Sequence, residues 1–316
     1  DGSVLSRSLY DSSEMPNLRE PTGLQNAGIY SISVDDYGTV WAAGNCSIHF
    51  KPIGEEVWSE YDYCPTINIE TPSDMMIIGD SVYLATTNAG VHILNYITSS
   101  SSGSVSVTVD SQTDWSTQNF LSSDQITDLE VVGNHLLIAT ADSGINRRDL
   151  PAQSWIATWS TNNWLASNQI HGLSLTPGWL HILAGTTVHA YDTNTLIFQS
   201  QNQLSQLGLY GNGAMAIPWP AHPSRGPISS TALFSDDSGT LGMQIAENPA
   251  GTLTLVSGPS IDGMDVVSRI DDGENGEIWV ASGRIIDQYD EGDRAWKTPI
   301  DIRDYVSNPG RIVAIQ

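Results

Sequence analysis

The side chains best suited to acid-base chemistry lie together in a proline-rich insertion at residues 208–230. Trp219, His222 and Arg225 stand there among four prolines, which restrict the chain and reduce the entropy it loses on binding. An imidazole can abstract a proton and a guanidinium can neutralise a carboxylate, so this set fits a polysaccharide lyase or hydrolase, or a sugar-binding site. The alternative, which we favour, is an irregular loop that packs over a neighbouring sheet.

A second set of polar residues recurs just before short β-rich runs. Its members are Asn26, Asp74, Asp124, Asn168, Asn212, Asp265 and Asn308. If these runs surround one axis, the side-chain oxygens gather at one mouth of a channel, where they could hold calcium or hydrogen-bond a sugar. In the alternative each side chain forms an Asx turn and accepts a backbone N–H as the chain enters a strand. We favour the turns because the repeat alone would enforce them, and we keep Asp124 and Asn168 as candidate ligand-binding residues.

Metal-site patterns are weak elsewhere in the chain. His49, His92 and His189 occupy the same place in three repeated units, and equivalent positions of a ring lie too far apart to share a metal, so we interpret them as packing residues. The remaining histidines, His135, His171, His181 and His222, show no HExxH or similar spacing. The segments DDYG, DDSG and DDGENG fit tight turns better than calcium loops. We therefore expect no metal and no cofactor, with calcium as the alternative.

A repeated structural unit must position these residues. WSTQNFLSSDQI begins at Trp115 and WSTNNWLASNQI begins at Trp159, 44 positions later, and eight of the twelve positions are identical. Short β-rich runs separated by turn residues surround each copy, which indicates a four-stranded meander. The second run of each unit contains, in order, Trp41, Tyr83, Leu137, His181, Leu233 and Trp279, at intervals of 42, 54, 44, 52 and 46 residues. A period of about 40–50 residues with four strands per unit is the pattern of a β-propeller.

The two ends of the chain are predicted to complete the ring. Six full units lie within residues 29–298. RIVAIQ, at residues 311–316, is predicted to be an innermost strand, and residues 1–10 are predicted to add one or two outer strands to it. We therefore predict an all-β, seven-bladed β-propeller of four-stranded antiparallel blades. It forms a single domain over residues 1–316, and its closing blade is shared by the N- and C-termini.

The twelve-residue motif fits the crossing from the outer strand of one blade to the inner strand of the next. The Trp that opens each copy is predicted to cover a sheet edge, and Leu121 and Leu165 are predicted to plug the space between blades. Such crossings lie on the ring face where propellers usually bind. We therefore expect any ligand site on the face that carries the crossings at 111–125 and 204–228.

Two segments resemble the two-component regulator propeller repeat. ISVDDYGTVWAAG, from Ile32 to Gly44, and LSSDQITDLEV, from Leu121 to Val131, are similar to its order of a Leu, an Asn, a first strand, an Asp-Gly turn, a Trp strand and a short Gly turn. The resemblance covers most of the chain and concerns the blade rather than an activity. It implies a seven-bladed ring, commonly the extracytoplasmic sensing or binding part of a bacterial or archaeal surface protein.

The charge of the chain excludes several classes of partner. Thirty-six acidic residues against twelve basic ones give a formal net charge of −24. Nucleic-acid binding requires Lys and Arg to neutralise phosphates, so we expect no nucleic-acid partner and no attraction to anionic lipid. No apolar run approaches the length of about 20 residues needed to cross a bilayer, so we expect no membrane insertion. Solubility is our favoured explanation of the acidity, and a cation-collecting surface is the alternative.

The two cysteines are predicted to form a disulfide. Cys46 and Cys64 bracket a segment that fits a hairpin turning near Gly54 and Glu55, in which residues whose numbers sum to about 110 face each other. The alternative is a pair of unrelated buried thiols. An even cysteine count without metal-type spacing fits an oxidising compartment. Together with the resemblance, this predicts an extracellular or cell-surface location.

These features favour a binding or interaction module outside the cell, with a protein or a glycan as its partner. No catalytic triad, paired-carboxylate motif, phosphate loop or metal cluster stands out in the sequence, so an enzyme is the less favoured interpretation. Two alternatives remain open. One is a carbohydrate-active enzyme, a polysaccharide lyase or hydrolase, that acts at Trp219–Arg225, and the other is a ligand-sensing ectodomain separated from its membrane anchor.

Deleting residues 311–316 should destabilise the whole ring, because these residues are predicted to be the strand that closes it. Without that strand the neighbouring edges are left unpaired. We expect the free energy of unfolding to fall by far more than the roughly 0.5 kcal/mol of an ordinary surface change. Urea unfolding of the full and the shortened chain measures the difference, and equal midpoints would contradict a closing blade shared by the termini.

Overall fold

The computed structural model describes residues 29–203, apart from 54, 56, 65–70, 102, 103, 177 and 196, and the strand segments between residues 216 and 301. All regular secondary structure within these residues is β. The strands are rich in Val, Ile, Leu and aromatic residues and are separated by Gly, Asp and Asn, a composition that favours pleated strands joined by tight turns.

Each of the first four sheets is an antiparallel meander of four strands. Blade 1 consists of β1 (Ile29–Val34), β2 (Val40–Gly44), β3 (Ser47–Lys51) and β4 (Ser59–Asp62). Blade 2 consists of β5 (Pro72–Ile78), β6 (Ser81–Thr86), β7 (Val91–Ser101) and β8 (Ser104–Trp115). Blade 3 consists of β9 (Ile126–Val132), β10 (His135–Thr140), β11 (Ile145–Asp149) and β12 (Ser154–Trp159). Blade 4 consists of β13 (Ile170–Thr176), β14 (Trp179–Ala184), β15 (Thr187–Asp192) and β16 (Ile197–Gln203).

Two further sheets follow in the described strand segments. One consists of β17 (Ala216–Ile217), β18 (Thr231–Ser235), β19 (Leu241–Ile245) and β20 (Thr254–Val256). The other consists of β21 (Val266–Asp271), β22 (Gly276–Ser282), β23 (Ile285–Asp290) and β24 (Ala295–Trp296), with β25 (Ile300–Asp301) also paired to β23. The residues that marked the predicted second strands, from Trp41 to Trp279, all lie in the second strands of these six sheets. The predicted four-stranded unit is therefore confirmed for the first four sheets.

The first strand of each sheet lies closest to the first strand of the next. β1 lies beside β5, β5 beside β9, β9 beside β13, β13 beside β17, and β17 beside β21. This succession is that of blades arranged around a common axis, so the sheets form part of a propeller ring. Residues 1–28 and 302–316 lie outside the described residues, so the count of seven blades and the closing blade stay predictions.

The hydrophobic core is divided into layers between consecutive blades. Successive side chains of a strand point to opposite faces of its sheet, so each central strand contributes to two layers. In β10, Leu136 and Ile138 pack toward blade 2, whereas Leu137 and Ala139 pack toward blade 4. All four side chains are buried. Burying a Leu or Ile contributes roughly 1.5–3 kcal/mol, so these layers are the main source of ring stability.

The predicted crossings between blades are confirmed. Trp115 ends β8 and Trp159 ends β12, and both side chains are buried. Leu121 lies in the layer between blades 2 and 3, and Leu165 lies in the layer between blades 3 and 4. The repeated leucines therefore plug neighbouring blades, as the motif predicts.

The predicted disulfide is present. Cys46 and Cys64 are joined, with Cα atoms 4.9 Å apart. β3 pairs with β4 so that Ser47 faces Asp62, and the residue numbers therefore sum to 109 rather than 110. Cys46 consequently lies opposite Tyr63, whose N–H donates to the Cys46 carbonyl at 3.0 Å. The disulfide thus ties the chain after β4 to the turn between β2 and β3.

Glycines in the left-handed region close the turns between second and third strands. Gly90 and Gly144 have φ of 86° and 84°. Each N–H donates to a carbonyl of the crossing that leaves the same blade, Gly90 to Asp124 at 3.0 Å and Gly144 to Asn168 at 2.8 Å. A Cβ added at Gly144 would overlap the Trp159 carbonyl oxygen. This turn therefore requires glycine both for its conformation and for the close approach of the crossing.

We predict that Gly144→Ala destabilises the ring more than Gly133→Ala, which is its matched control. Both positions have positive φ, so each alanine costs about 1–2 kcal/mol of left-handed strain. A Cβ at Gly133 meets no atom within 4 Å, whereas one at Gly144 displaces the crossing. Thermal unfolding of the two variants measures the difference. Equal losses of stability would contradict the close approach at Gly144.

Candidate functional site

One face of the ring, which we term the crossover face, carries the crossings between blades and the turns between second and third strands. A polar pocket of about 440 Å³ opens there between blades 2 and 3. Its lining residues are Thr87, Asn88, Thr117, Ser122, Ser123, Asp124, Gln125 and Asp142. Hydroxyls, amides and two carboxylates form this lining, with no basic side chain among them. The pocket therefore suits a ligand rich in hydrogen-bond donors rather than an anion.

The crossing that lines the pocket is a compact loop held by its own side chains. Asn119 Oδ1 accepts from the Ser116 N–H at 2.8 Å, and Asn119 Nδ2 donates to the Asp114 carbonyl at 2.9 Å. Asp124 Oδ1 accepts from the Thr117 N–H at 2.6 Å, and Asp124 Oδ2 accepts from the Thr117 hydroxyl at 2.7 Å. The candidate residue Asp124 therefore lines the pocket and also closes the loop.

The second copy of the motif folds in the same way between blades 3 and 4. Asn163 makes the equivalent two hydrogen bonds, at 2.7 and 2.9 Å. Asn168 Oδ1 accepts from the Thr161 N–H at 2.8 Å. Asp124 and Asn168 thus bond to a donor seven residues earlier in the chain, rather than to one at the entrance of the following strand. The structural role expected for them is present, although its geometry is that of a loop closure and not of an Asx turn.

Asp74 does not share the position of Asp124 and Asn168. The sequence pattern placed it just before a first strand, but Asp74 is the third residue of β5. It follows a register shift at the start of that strand, as Asp128 does in β9. The prediction was wrong because the segment before β5 lacks the twelve-residue motif that sets the alignment in the next two blades.

Asp74 and Asp128 link the inner strands of three blades. Asp74 Oδ2 accepts from the Leu129 N–H in β9 at 3.0 Å, and Asp128 Oδ2 accepts from the Leu173 N–H in β13 at 2.5 Å. Asp128 Oδ1 accepts from the same Leu129 N–H at 2.8 Å, so the two carboxylates share one donor. These side-chain bonds join strands that belong to separate sheets.

The acids of the inner strands have raised pKa values. Burial raises the pKa of Asp74, and burial together with the charge of Asp74 raises the pKa of Asp128 well above its usual range. Burial is also the main cause that raises the pKa of Glu130, on β9, to about 7. Glu130 accepts from the Val131 N–H at 3.0 Å. Near neutral pH, this part of the ring therefore carries less negative charge than its acidic residues suggest.

The DDYG segment forms a turn, the interpretation favoured over a calcium loop. Asp35 is buried, and it accepts from the Thr39 N–H at 2.8 Å and from Trp41 Nε1 at 3.1 Å. It also accepts from the Tyr96 hydroxyl of blade 2 at 3.1 Å. The carboxylate therefore ties the turn to its own blade and to the next one. The DDSG segment and most of DDGENG lie outside the described residues.

The three equivalent histidines are confirmed as buried residues of third strands. His49 lies in β3, His92 in β7 and His189 in β15, and each is at most 5% exposed. His92 packs against Tyr63 of blade 1, with ring centroids 5.1 Å apart, and His189 packs against Trp164, with centroids 5.8 Å apart. His92 thus contacts the end of the preceding blade, and His189 contacts the crossing that arrives from the preceding blade, as expected of interblade packing residues.

Third-strand polar residues also hold the crossings, a role that the sequence reasoning missed. His189 Nε2 accepts from the Ala166 N–H at 3.1 Å. Asn146, which takes the equivalent place in blade 3, accepts from the Ser122 N–H at 3.1 Å through Oδ1. Ser122 lines the pocket, so Asn146 is a positioning residue for it. The sequence feature that could have indicated this role is a polar residue that recurs at one position of otherwise apolar third strands.

Several predicted site residues lie outside the described residues. They are Trp219, His222 and Arg225 of the insertion, and Asn26, Asn212, Asp265 and Asn308 of the recurring Asx set. Their roles stay predictions. Within the part of the chain that the structure describes, no three or more His, Cys, Asp or Glu side chains are grouped so as to hold a metal ion. The same part contains no helix long and apolar enough to span a membrane.

No protein-family model and no curated protein matches this sequence. Among solved structures, the fold is similar to the extracellular domain ascribed to the hybrid two component system BT3049 of B. thetaiotaomicron, with a TM-score of 0.63 and 17% identity over 98% of this chain. The corresponding domain of BT4673 from the same organism gives a TM-score of 0.62 and 13% identity over 94% of this chain. At these identities the likeness shows the fold alone. The chain spans 38% and 36% of the length of these two structures.

We predict that Glu130→Gln stabilises the ring at pH 8 and has little effect at pH 5. Glu130 ionises near pH 4.5 in the unfolded chain but only near pH 7 in the folded ring, so its burial costs stability as the pH rises between these values. Removing the charge should recover about 1–3 kcal/mol at pH 8. Urea unfolding at both values measures the gain, with Glu60→Gln on the exposed side of β4 as control. A gain that is independent of pH would contradict the raised pKa of Glu130.

Proposed function

We propose that this chain is an extracytoplasmic binding module whose ligand site lies on the crossover face. The polar pocket between blades 2 and 3 is the observation that carries the proposal. Its hydroxyls, amides and carboxylates converge from two turns and one crossing, and the side-chain bonds of Asn119 and Asp124 already fix that crossing. A glycan or a protein surface that presents hydroxyl, amide or amine donors would find acceptors there without a further ordering cost.

The disulfide and the fold likeness support a location outside the cytoplasm. Cys46–Cys64 is a disulfide of the kind that persists in oxidising compartments. The two similar solved structures are described as extracellular domains. Neither observation identifies a ligand, so the proposal takes its ligand chemistry from the pocket alone.

The repeat supplies a variant that removes the pocket lining while keeping the fold of the loop. At the junction of blades 3 and 4, Ala141, Ala166 and Asn168 take the places that Thr87, Ser122 and Asp124 have in the pocket, and the crossing there forms the same backbone bonds. The triple variant Thr87→Ala, Ser122→Ala, Asp124→Asn should therefore unfold at the same temperature as the wild type. We expect it to bind the ligand of the wild type about 100-fold more weakly, because it loses two hydroxyls and one charged acceptor.

A glycan array probed with both proteins tests this expectation. The control is a matched change in the second copy, Asn162→Gln, which introduces the residue of the first copy at an exposed position outside the pocket and should leave binding unchanged. Glycans that bind the wild type and the triple variant equally would place the site elsewhere on the molecule. A reduced unfolding temperature of the triple variant would show that these side chains serve the fold instead.

A second candidate function is ligand sensing, and the fold likeness favours it. In that case the propeller is one part of a longer receptor, as the partial coverage of the two similar structures suggests by analogy. An in-frame transmembrane segment and transmitter module in the complete gene would support this function, and a complete reading frame without them would contradict it. The carbohydrate-active enzyme alternative depends on Trp219, His222 and Arg225 and is tested by activity assays on acidic polysaccharides.

A further inference from the structure

The two crossings are held by the same interaction made by different side chains. In blade 3 the amide oxygen of Asn146 accepts the Ser122 N–H at 3.1 Å. In blade 4 the imidazole Nε2 of His189 accepts the Ala166 N–H at 3.1 Å. Ser122 and Ala166 both directly follow the repeated leucine of the motif. The two copies thus share the geometry of this hydrogen bond. The two acceptors differ in whether they can be protonated.

His189 can accept this hydrogen bond only when its imidazole is neutral. Nε2 must be free of a proton, so the single proton of the neutral ring lies on Nδ1. An imidazolium carries protons on both nitrogens, and its Nε2–H would then face the Ala166 N–H as a second donor. Asn146 has no such alternative, because an amide does not titrate in this range. Protonation of His189 therefore replaces its hydrogen bond to the Ala166 N–H with a repulsive contact. The bond from the Ser122 N–H to Asn146 is unchanged.

The surroundings of His189 offer little that would stabilise its charged form. The side chain is fully buried, and Trp164 and Phe198 pack against it with ring centroids 5.8 and 5.5 Å away. Burial lowers the pKa of His189 to about 4.

Titratable groups on the neighbouring elements are few among the described side chains. Tyr191 lies two residues along β15, and Arg147 of β11 stacks on Trp159 at 4.6 Å in the same interblade layer. His181 lies on the neighbouring strand β14. It is directly before Ile182, the residue that pairs with His189, and it pairs with Ala190. Burial lowers the pKa of His181 to about 4 as well, so its contribution must be separated by experiment.

We propose that His189 is a pH-dependent positioning residue of the crossover face: neutral His189 holds the crossing at 160–169 in place, and its protonation releases that crossing while Asn146 keeps the neighbouring one fixed. Released with it is Asn168, one of the two candidate ligand-binding residues. Of these two crossings of the crossover face, one then responds to acid and the other does not. This inference goes beyond the proposed binding function, because the order of a crossing is measurable without any ligand.

Hydrogen exchange of the full chain between pH 6 and pH 3 tests the proposal. Because the pKa of His189 is about 4 in the closed ring and about 6.5 for a released imidazole, the protection factor of the Ala166 amide relative to that of Ser122 should fall up to tenfold for each pH unit between pH 6 and pH 4 in the wild type, and it should level off below pH 4. In His189→Asn the ratio should stay constant, since blade 3 shows that Asn can hold a crossing from this position. In Asn146→His the Ser122 amide should become the acid-sensitive one.

Two further measurements keep the outcome decisive. In His181→Asn the acid response of Ala166 should persist, and a response that disappears with His181 instead of His189 would overturn the proposal. The same conclusion would follow if wild type and His189→Asn gave identical profiles. Should His189→Asn fail to fold, nitrogen chemical shifts of His189 in the wild type decide: a neutral ring that carries its proton on Nε2 would exclude the proposed hold.

Discussion

Among the described strands no backbone ladder joins one blade to the next, so the contacts between blades depend on side chains. In the described residues each sheet is complete in itself, and its neighbours meet it face to face. Apolar layers supply most of the attraction, with alternate residues of β10 serving two layers at once. Directional bonds add the register. Asp74 and Asp128 reach from one inner strand to the backbone of the next, and Asp35 reaches the Tyr96 hydroxyl of the following blade.

This constraint also accounts for two of the twelve basic residues of a strongly acidic chain. The Arg147 guanidinium lies 4.6 Å from the ring of Trp159, and the Arg148 guanidinium lies 4.7 Å from the ring of Trp115. Both tryptophans open a copy of the crossing motif, so each arginine packs at the junction between one blade and the next. An arginine over an indole contributes roughly 0.5–2 kcal/mol, and its charge is then committed to the fold.

The sequence predicted the fold better than the site, and particular residues show why. Period and turn chemistry are local, so Trp41, Tyr83 and their equivalents located the second strands, and Cys46 and Cys64 located a hairpin to within one residue of register. The site depends on longer-range contacts. The hydrogen bond between Ser122 and Asn146 joins residues 24 positions apart, and that between Leu129 and Asp74 joins residues 55 positions apart. Such contacts depend on how twisted sheets meet. The segment before β5 lacks the repeated motif, so the sequence alone could not show that Asp74 lies inside its strand rather than before it.

Within the repeat, the positions that differ are more informative about function than those that agree. The eight identical positions of the motif include residues that serve the fold, since Asn119 and Asn163 bridge their turns and Leu121 and Leu165 plug their layers. Selection for the fold alone explains such identity.

The four differing positions are Gln118/Asn162, Phe120/Trp164, Ser122/Ala166 and Asp124/Asn168. Two of these, Ser122 and Asp124, line the pocket, and both are the more polar or more charged member of their pair. The loop geometry tolerates either member, because the second copy forms the same backbone bonds, so the fold does not demand the hydroxyl and the carboxylate of the first copy. A binding role for the crossing between blades 2 and 3 gives these two side chains a reason to be there.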